Sequence, residues 1–232
     1  MKQQDFSKRI FLGITGSCNL DWQGKLDEIN KLKIEEAAVF LTRFDKKERD
    51  HLYKFLLKSS IKYIPLVHLR HDVEKEEIKF FIDNFKTKYF NIHEDHFDFI
   101  HKWDGYFDKL YLEMNFNDEI TKNVKVRKIG GFCIDLSHFK SAISRGAEEA
   151  FYIHLRKNKI KFSCNHLNGF SEIKKRDIHR IKNLKEFDYL KDLPEYVFSK
   201  VIALEVENSI KEQIKFKNYL IDYLNKCFNV KV

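Results

Sequence analysis

The sequence predicts a single (β/α)8 barrel, a TIM barrel, spanning residues 1–232 as one domain. Three observations predict it. Short apolar runs of strand length alternate with longer amphipathic stretches, the alternation recurs about eight times, and the connections are short. Strands joined by helices over short connections must run parallel.

In order, the apolar runs are Arg9–Thr15, Ala37–Leu41, Ile64–Leu69, Tyr89–His93, Leu110–Glu113, Gly131–Asp135, Lys161–His166 and Val201–Glu205. Each has the length and the β-branched or aromatic content of a buried strand. Among the helical stretches, Asp21–Leu32 opens on Asp21 as an N-cap type, and Lys46–Leu57 follows Asp45, another. Glu74–Phe85 puts Ile78, Phe81, Ile82 and Phe85 on one face, and Ser209–Phe228 is a long closing helix. Met114–Gly130 is short and charged, so the fifth helix is expected to be reduced or absent. A doubly wound open sheet competes with the barrel. It is disfavoured because GITGSCN, from Gly13, is only a partial echo of the glycine pattern that binds dinucleotides.

Composition narrows the function classes. No apolar run approaches the roughly 20 residues that span a bilayer. Met1–Arg9 is too polar for a signal peptide, so no membrane partner and a cytoplasmic location are expected. Cys18, Cys133, Cys164 and Cys227 are widely spaced without a CxxC pair, which points to buried or idle thiols rather than disulfides or a thiolate zinc ribbon. The net charge of +8 would suit phosphorylated or nucleic-acid partners. The lysines are spread along the chain, however, and Lys, Ile, Phe and Asn are all abundant, as in chains from AT-rich genomes.

The strand ends carry the chemistry. In a parallel barrel functional side chains gather at the C-terminal ends of the strands. Here the third to eighth strands end on His68, His93, Glu113, Asp135, His166 and Glu205, with His138 three residues after Asp135 and Glu207 two after Glu205. A buried strand that finishes on a carboxylate or imidazole needs a partner for that group. Any one of these residues could be a cap or a surface histidine, but six consecutive strands with the same kind of ending indicate a shared ligand. A mixed His, Asp and Glu set suits Zn2+, Mn2+, Co2+ or Mg2+. His71, His96 and His101 fall in loops or helix starts, where exposure is expected. His154 reads as structural and His51 as solvated.

These residues resemble the xylose isomerase-like barrel superfamily, which holds sugar isomerases and epimerases together with endonuclease IV-type abasic-site nucleases. GFCIDLSHF (Gly131–Phe139) is similar to the strand-six motif, NHLN (Asn165–Asn168) to the strand-seven motif, ALEVENS (Ala203–Ser209) to the strand-eight glutamate and LEMN (Leu112–Asn115) to the strand-five glutamate. The resemblance implies that Glu113, Asp135, His166 and Glu205 hold one divalent metal and that His138 binds substrate or another metal. It implies Glu113 and Glu205 as the acid/base pair that moves a proton between neighbouring carbons of a small sugar or sugar phosphate. Glu207 is the reserve if the alignment slips.

The nuclease branch stays open as an alternative. His68 and His93 match its third- and fourth-strand histidines, and RDIHRI (Arg176–Ile181) supplies Asp177 and His179 in its D-x-H pattern. That reading implies three zinc ions and abasic DNA as partner. Asn183 and Lys185 stand where relatives commonly carry glycines. A non-catalytic metal-binding barrel is the third reading. Relatives often pair, so a homodimer is the expected assembly.

Overall fold

In the computed structural model residues 5–16, 22–113, 128–156 and 161–229 are described. The first expected strand is present as two pieces, β1 (Ile10–Phe11) and β2 (Gly13–Thr15), broken at Leu12. Then follow β3 (Ala38–Phe40), β4 (Leu66–His68), β5 (Tyr89–His93), β6 (Leu110–Glu113), β7 (Gly131–Asp135) and β8 (Phe162–Leu167). A small hairpin, β9 (Gly169–Ser171) with β10 (Arg176–Ile178), precedes the last barrel strand, β11 (Val201–Leu204). The order across the main sheet is β1-β11-β8-β7-β6-β5-β4-β3-β2, with every pairing parallel. Because β1 and β2 are consecutive pieces of one stretch and occupy opposite ends of that order, the sheet closes into a TIM barrel.

The seam at Leu12 is sealed by a side chain. Gln213 is fully buried; its Nε2 donates to the Gly13 carbonyl at 3.0 Å, and its Oε1 accepts from the Gly13 N–H at 2.8 Å. Glycine is required there, since a Cβ would stand 1.9 Å from the Leu204 carbonyl oxygen of the neighbouring strand.

Around the barrel lie α1 (Trp22–Lys31), α2 (Lys46–Leu56), α3 (Lys75–Phe85), α4 (Leu136–Arg145), α5 (Glu148–Arg156) and α6 (Ile210–Asn229). Asp45 caps α2 with a capping box, accepting from Glu48 N at 2.8 Å while Glu48 accepts from Asp45 N at 3.0 Å. The expected cap Asp21, the thiol Cys18 and all of Met114–Gly130 except its last three residues lie outside the described residues. Two crossovers depart from α-helix. After β5 the chain winds into 3-10 turns over Glu94–Trp103, and after the β9–β10 hairpin it does so over Leu184–Asp192. No helix among the described residues is long and apolar enough to cross a membrane.

Strand periodicity of two sorts the side chains. Residues of one parity, such as Phe90, Ile92, Leu112 and Ile134, join the large core under the helices. Their alternates, among them Phe11, Ala38, Phe40, Leu66, Cys133 and Ala203, form a separate buried cluster inside the barrel. Continued to the strand ends, that inner parity reaches His68, Asn91, His93, Glu113, Asp135, His166 and Glu205. Register brings them level, with His68 opposite Asn91, His93 opposite Glu113 and Asp135 opposite His166.

Candidate metal centre at the barrel mouth

Six strands deliver their last inward side chains to one small volume. Glu113 is 1% exposed, and its Oε2 lies 3.1 Å from His166 Nδ1, 3.5 Å from His68 Nε2 and 3.8 Å from His93 Nε2. Glu205, one residue past β11, brings Oε2 to 3.3 Å from the same His166 Nδ1 and Oε1 to 4.0 Å from His68 Nδ1. Asp135 sits at the N-terminus of α4. Its Oδ1 accepts from Ser137 N, Ser137 Oγ and His138 N, and its Oδ2 accepts from Asn168 Nδ2 at 3.0 Å. Oδ2 keeps a second lone-pair direction for a further partner.

Asn91 decides how His166 is oriented. Its amide nitrogen donates to Glu113 Oε2 at 2.9 Å, which leaves its carbonyl oxygen to accept from His166 Nε2–H at 3.2 Å. A neutral His166 therefore carries its lone pair on Nδ1, aimed between two carboxylates and without a hydrogen-bond partner. Three electron-rich groups converging in a largely buried site repel one another unless positive charge sits among them. A protonated ring supplies it in one way. Burial opposes that charge, and the neighbouring Cys133, Glu113 and Glu205 outweigh burial, holding the His166 pKa well above its ordinary value. Burial keeps Cys133 itself a neutral thiol, so the two carboxylates carry the effect. A divalent cation supplies the charge in another way, and the remaining donors fit it.

His68 gives the same indication independently. It is 1% exposed, both ring nitrogens lack a hydrogen-bond partner, and burial pushes its pKa down to about 3. A neutral buried imidazole with two orphaned nitrogens calls for a partner, and a metal ion is one that would satisfy it. Burial raises the pKa of Glu113 and Glu205, but the surrounding imidazoles, His166 foremost, overcome it and hold both carboxyls below their usual range. Ligand atoms within 4.8 Å of one another can be drawn from His68, Glu113 and His166, from Asp135, His166 and Glu205, and from Glu113, Asp135 and His138. All four residues of the expected common site are thus brought together, with His68 and His138 at its margins.

The D-x-H residues stand apart on β10 and just after it. His179 Nε2 pairs with Asp177 Oδ2 at 2.9 Å, and His179 Nδ1 is 3.0 Å from the Glu205 carbonyl oxygen. Burial opposes the imidazolium, but Asp177 and Glu205 raise its pKa to about 10. Among the described residues this pair joins no group of three ligand types.

Above the ligands opens a cavity of about 320 Å3, bounded by Thr15, Phe40, Arg43, His93, His179 and Glu207 among others. Phe40 packs edge-on against His166 at 5.0 Å and forms an apolar wall. Below the rim Lys25 is buried, and its Nζ donates to Thr15 Oγ1 at 2.9 Å and the Val206 carbonyl at 3.0 Å. Desolvation brings its pKa down to about 8. Sequence reasoning missed Asn91, Asn168 and Lys25 as parts of this site. For Asn91 the signal was present, because it is the polar residue at inward parity two positions before His93.

No family model and no curated protein matches the sequence. Among solved structures, a D-tagatose 3-epimerase-like protein superposes with a TM-score of 0.55 over 94% of this chain and 98% of its own, at 12% identity. The chain shares that protein's TIM-barrel fold. This is the fold that the resemblance implied. A sugar phosphate isomerase/epimerase from Parabacteroides distasonis ATCC 8503 aligns over 88% of this chain and 89% of its own, with a TM-score of 0.43 and 12% identity.

Proposed function

We propose that the protein is a divalent-metal-dependent isomerase or epimerase acting on a small carbohydrate. The observation that carries the reading is the convergence of Glu113 and Glu205 on Nδ1 of His166, at 3.1 and 3.3 Å, at the base of a cavity of about 320 Å3. A volume of this order suits a small molecule.

Glu113, Asp135, His166 and Glu205 would hold the cation, with His68 beside them. When bound, it supplies Lewis acidity that makes the hydrogen next to a substrate carbonyl more acidic. The chain's own groups do the rest. Glu113 and Glu205 are both held ionised, so either can accept that proton. The electron pair left on carbon moves into an enediolate of the substrate. Return of the proton to the neighbouring carbon completes an isomerisation, and return to the opposite face of the same carbon completes an epimerisation. Asn91 fixes Glu113 and His166 against each other throughout, and Phe40 keeps water from one side of the ligands.

The test is solvent exchange. Metal-reloaded protein is incubated in D2O with a panel of aldoses and ketoses, and deuterium at the carbon next to the carbonyl is followed by NMR. Exchange with at least one sugar, lost in Glu113→Gln and Glu205→Gln, is expected. No exchange with any sugar while metal is bound would sink the reading.

One observation favours the zinc phosphodiesterase reading instead. A cleft of about 520 Å3 shares His179 and Glu207 with the central cavity and is lined by Lys174, Arg176, Arg180 and Lys182. Such a basic margin suits a phosphate backbone. Incision of an abasic duplex by the zinc-loaded protein would promote this reading over the first.

A further inference from the structure

A second group of ligand-type side chains lies where β5 ends and the 3-10 turns begin. We infer that His93, Asp95 and His96 form a separate site for a divalent transition cation of the Zn2+ class, on the rim of the cavity. This inference does not depend on which reaction the central site performs.

The placement follows from the local backbone. His93 ends β5 and Glu94 begins the 3-10 turns, so residues three apart come to lie over one another. His93 and His96 accordingly stack, with ring centroids 5.9 Å apart and planes at 18°. Glu94, between them, is turned into the protein and is 5% exposed, whereas the Asp95 side chain remains 58% exposed. The three residues can each offer a ligand atom with all three atoms within 4.8 Å of one another. In a tetrahedral site with bonds of about 2.0–2.1 Å the ligand atoms sit roughly 3.4 Å apart. Side-chain rotations that close each pair by on the order of 1 Å complete the set, and such rotations are open to partly exposed residues.

His71 strengthens the assignment from another part of the chain. It comes from the loop after β4, and its ring centroid is 4.9 Å from that of His96. A third imidazole, and with it a fourth ligand, is thus within reach. Among the described residues no hydrogen bond engages the side chains of His93, Asp95 or His96. The closest polar approaches are His93 to Glu113 at 3.8 Å and His96 to Asp95 at 3.9 Å. Two imidazoles with one carboxylate select Zn2+, Co2+ or Ni2+, and disfavour Mg2+ and Ca2+, which prefer an all-oxygen shell. Because His93 also lines the central cavity, the outer ion would sit where an entering ligand passes.

The test compares metal-stripped full-length protein with the double variant Asp95→Asn/His96→Asn, both titrated with ZnCl2. Bound zinc is counted by elemental analysis after gel filtration, with and without excess MgCl2. The substitutions are at partly exposed positions, and circular dichroism confirms the fold. Wild type is expected to retain one more zinc per chain than the variant, and excess Mg2+ is expected to leave that difference unchanged. Equal, non-zero counts would overturn the outer site while leaving the central one standing. A single zinc in wild type that vanishes in the variant would support the outer site and remove the central one. Zero in both would overturn both.

Discussion

Two charged clusters in this barrel are each built around fully buried side chains and have opposite bookkeeping of hydrogen bonds. Between α2 and α3, Arg49 is fully buried. Its Nε and Nη2 donate to Glu77 at 2.9 and 3.2 Å, its Nη1 donates to Asp72 Oδ1 and the Phe44 carbonyl at 3.0 and 3.1 Å, and its Nη2 reaches the Asp72 carbonyl at 3.3 Å. Glu77 also accepts from Tyr53 Oη at 2.6 Å and from Glu74 N at 2.9 Å. Every donor of the guanidinium has an acceptor. At the strand ends, by contrast, His68 keeps two orphaned nitrogens, and His166 Nδ1 faces two carboxylates without a hydrogen-bond partner. A satisfied buried ion cluster braces helices. An unsatisfied one, in a protein under selection for stability, is an indication that something is meant to bind there.

The largest expected effect breaks the second cluster chemically. Glu205→Gln should lower carbohydrate turnover by about 1,000-fold, within the range for losing a positioned acid/base group. Measured in urea, its metal-free stability should fall less than that of an Arg49 variant. Arg49→Met attacks the brace and should cost about 3–5 kcal/mol, because it strands a buried Glu77 carboxylate. Activity per folded molecule should stay near wild type.

The brace also has a pH signature. Burial raises the Glu77 pKa, but hydrogen bonds from Arg49 and Tyr53 outweigh it and leave the pKa lowered. A carboxyl with a depressed folded pKa stabilises above its unfolded value, about 4.3, and that contribution is lost as pH falls through the folded value. The stability gap between wild type and Arg49→Met should therefore narrow below about pH 4.

Ligand binding sharpens the contrast from the other side. Saturating Zn2+, Mn2+ or Co2+ at roughly 100 times its Kd should stabilise wild type by about 2.7 kcal/mol. The same addition should stabilise a His166→Asn variant by less, because only the outer His93, Asp95 and His96 group is then left to bind. Asn91→Leu should give the smallest effect, with metal affinity about 10–100-fold weaker, as for outer partners of metal ligands. Unchanged affinity in that variant would mean that His166 is oriented by something else.

Much of this was legible in the sequence for a simple reason. A buried parallel strand repeats with period two and must end somewhere, so an ionisable residue at its last inward position is visible without a structure. Tyr89–His93, Leu110–Glu113 and Gly131–Asp135 have the bounds expected from pattern alone. What was not legible depends on contacts between distant elements. Nothing distinguishes Arg49 from its lysine neighbours until Glu77 is placed 2.9 Å away across two helices. Asn91 is one polar residue among apolar ones until register sets it beside His68 and between Glu113 and His166. The break at Leu12 is a property of barrel closure, supplied by Gln213 some 200 residues later. The β9–β10 hairpin was visible only as a D-x-H motif, and its structure ties that motif to the Glu205 backbone rather than to the ligand cluster.

The most direct test of the central claim is the metal content of protein purified without chelator or nickel resin, measured by elemental analysis. At least one divalent transition ion per chain is expected, with one ion fewer per chain in His166→Asn. A metal-free wild type that stays metal-free after reloading with Zn2+, Mn2+ or Co2+ would contradict the claim, and would leave the strand-end cluster as an imidazolium held between two carboxylates.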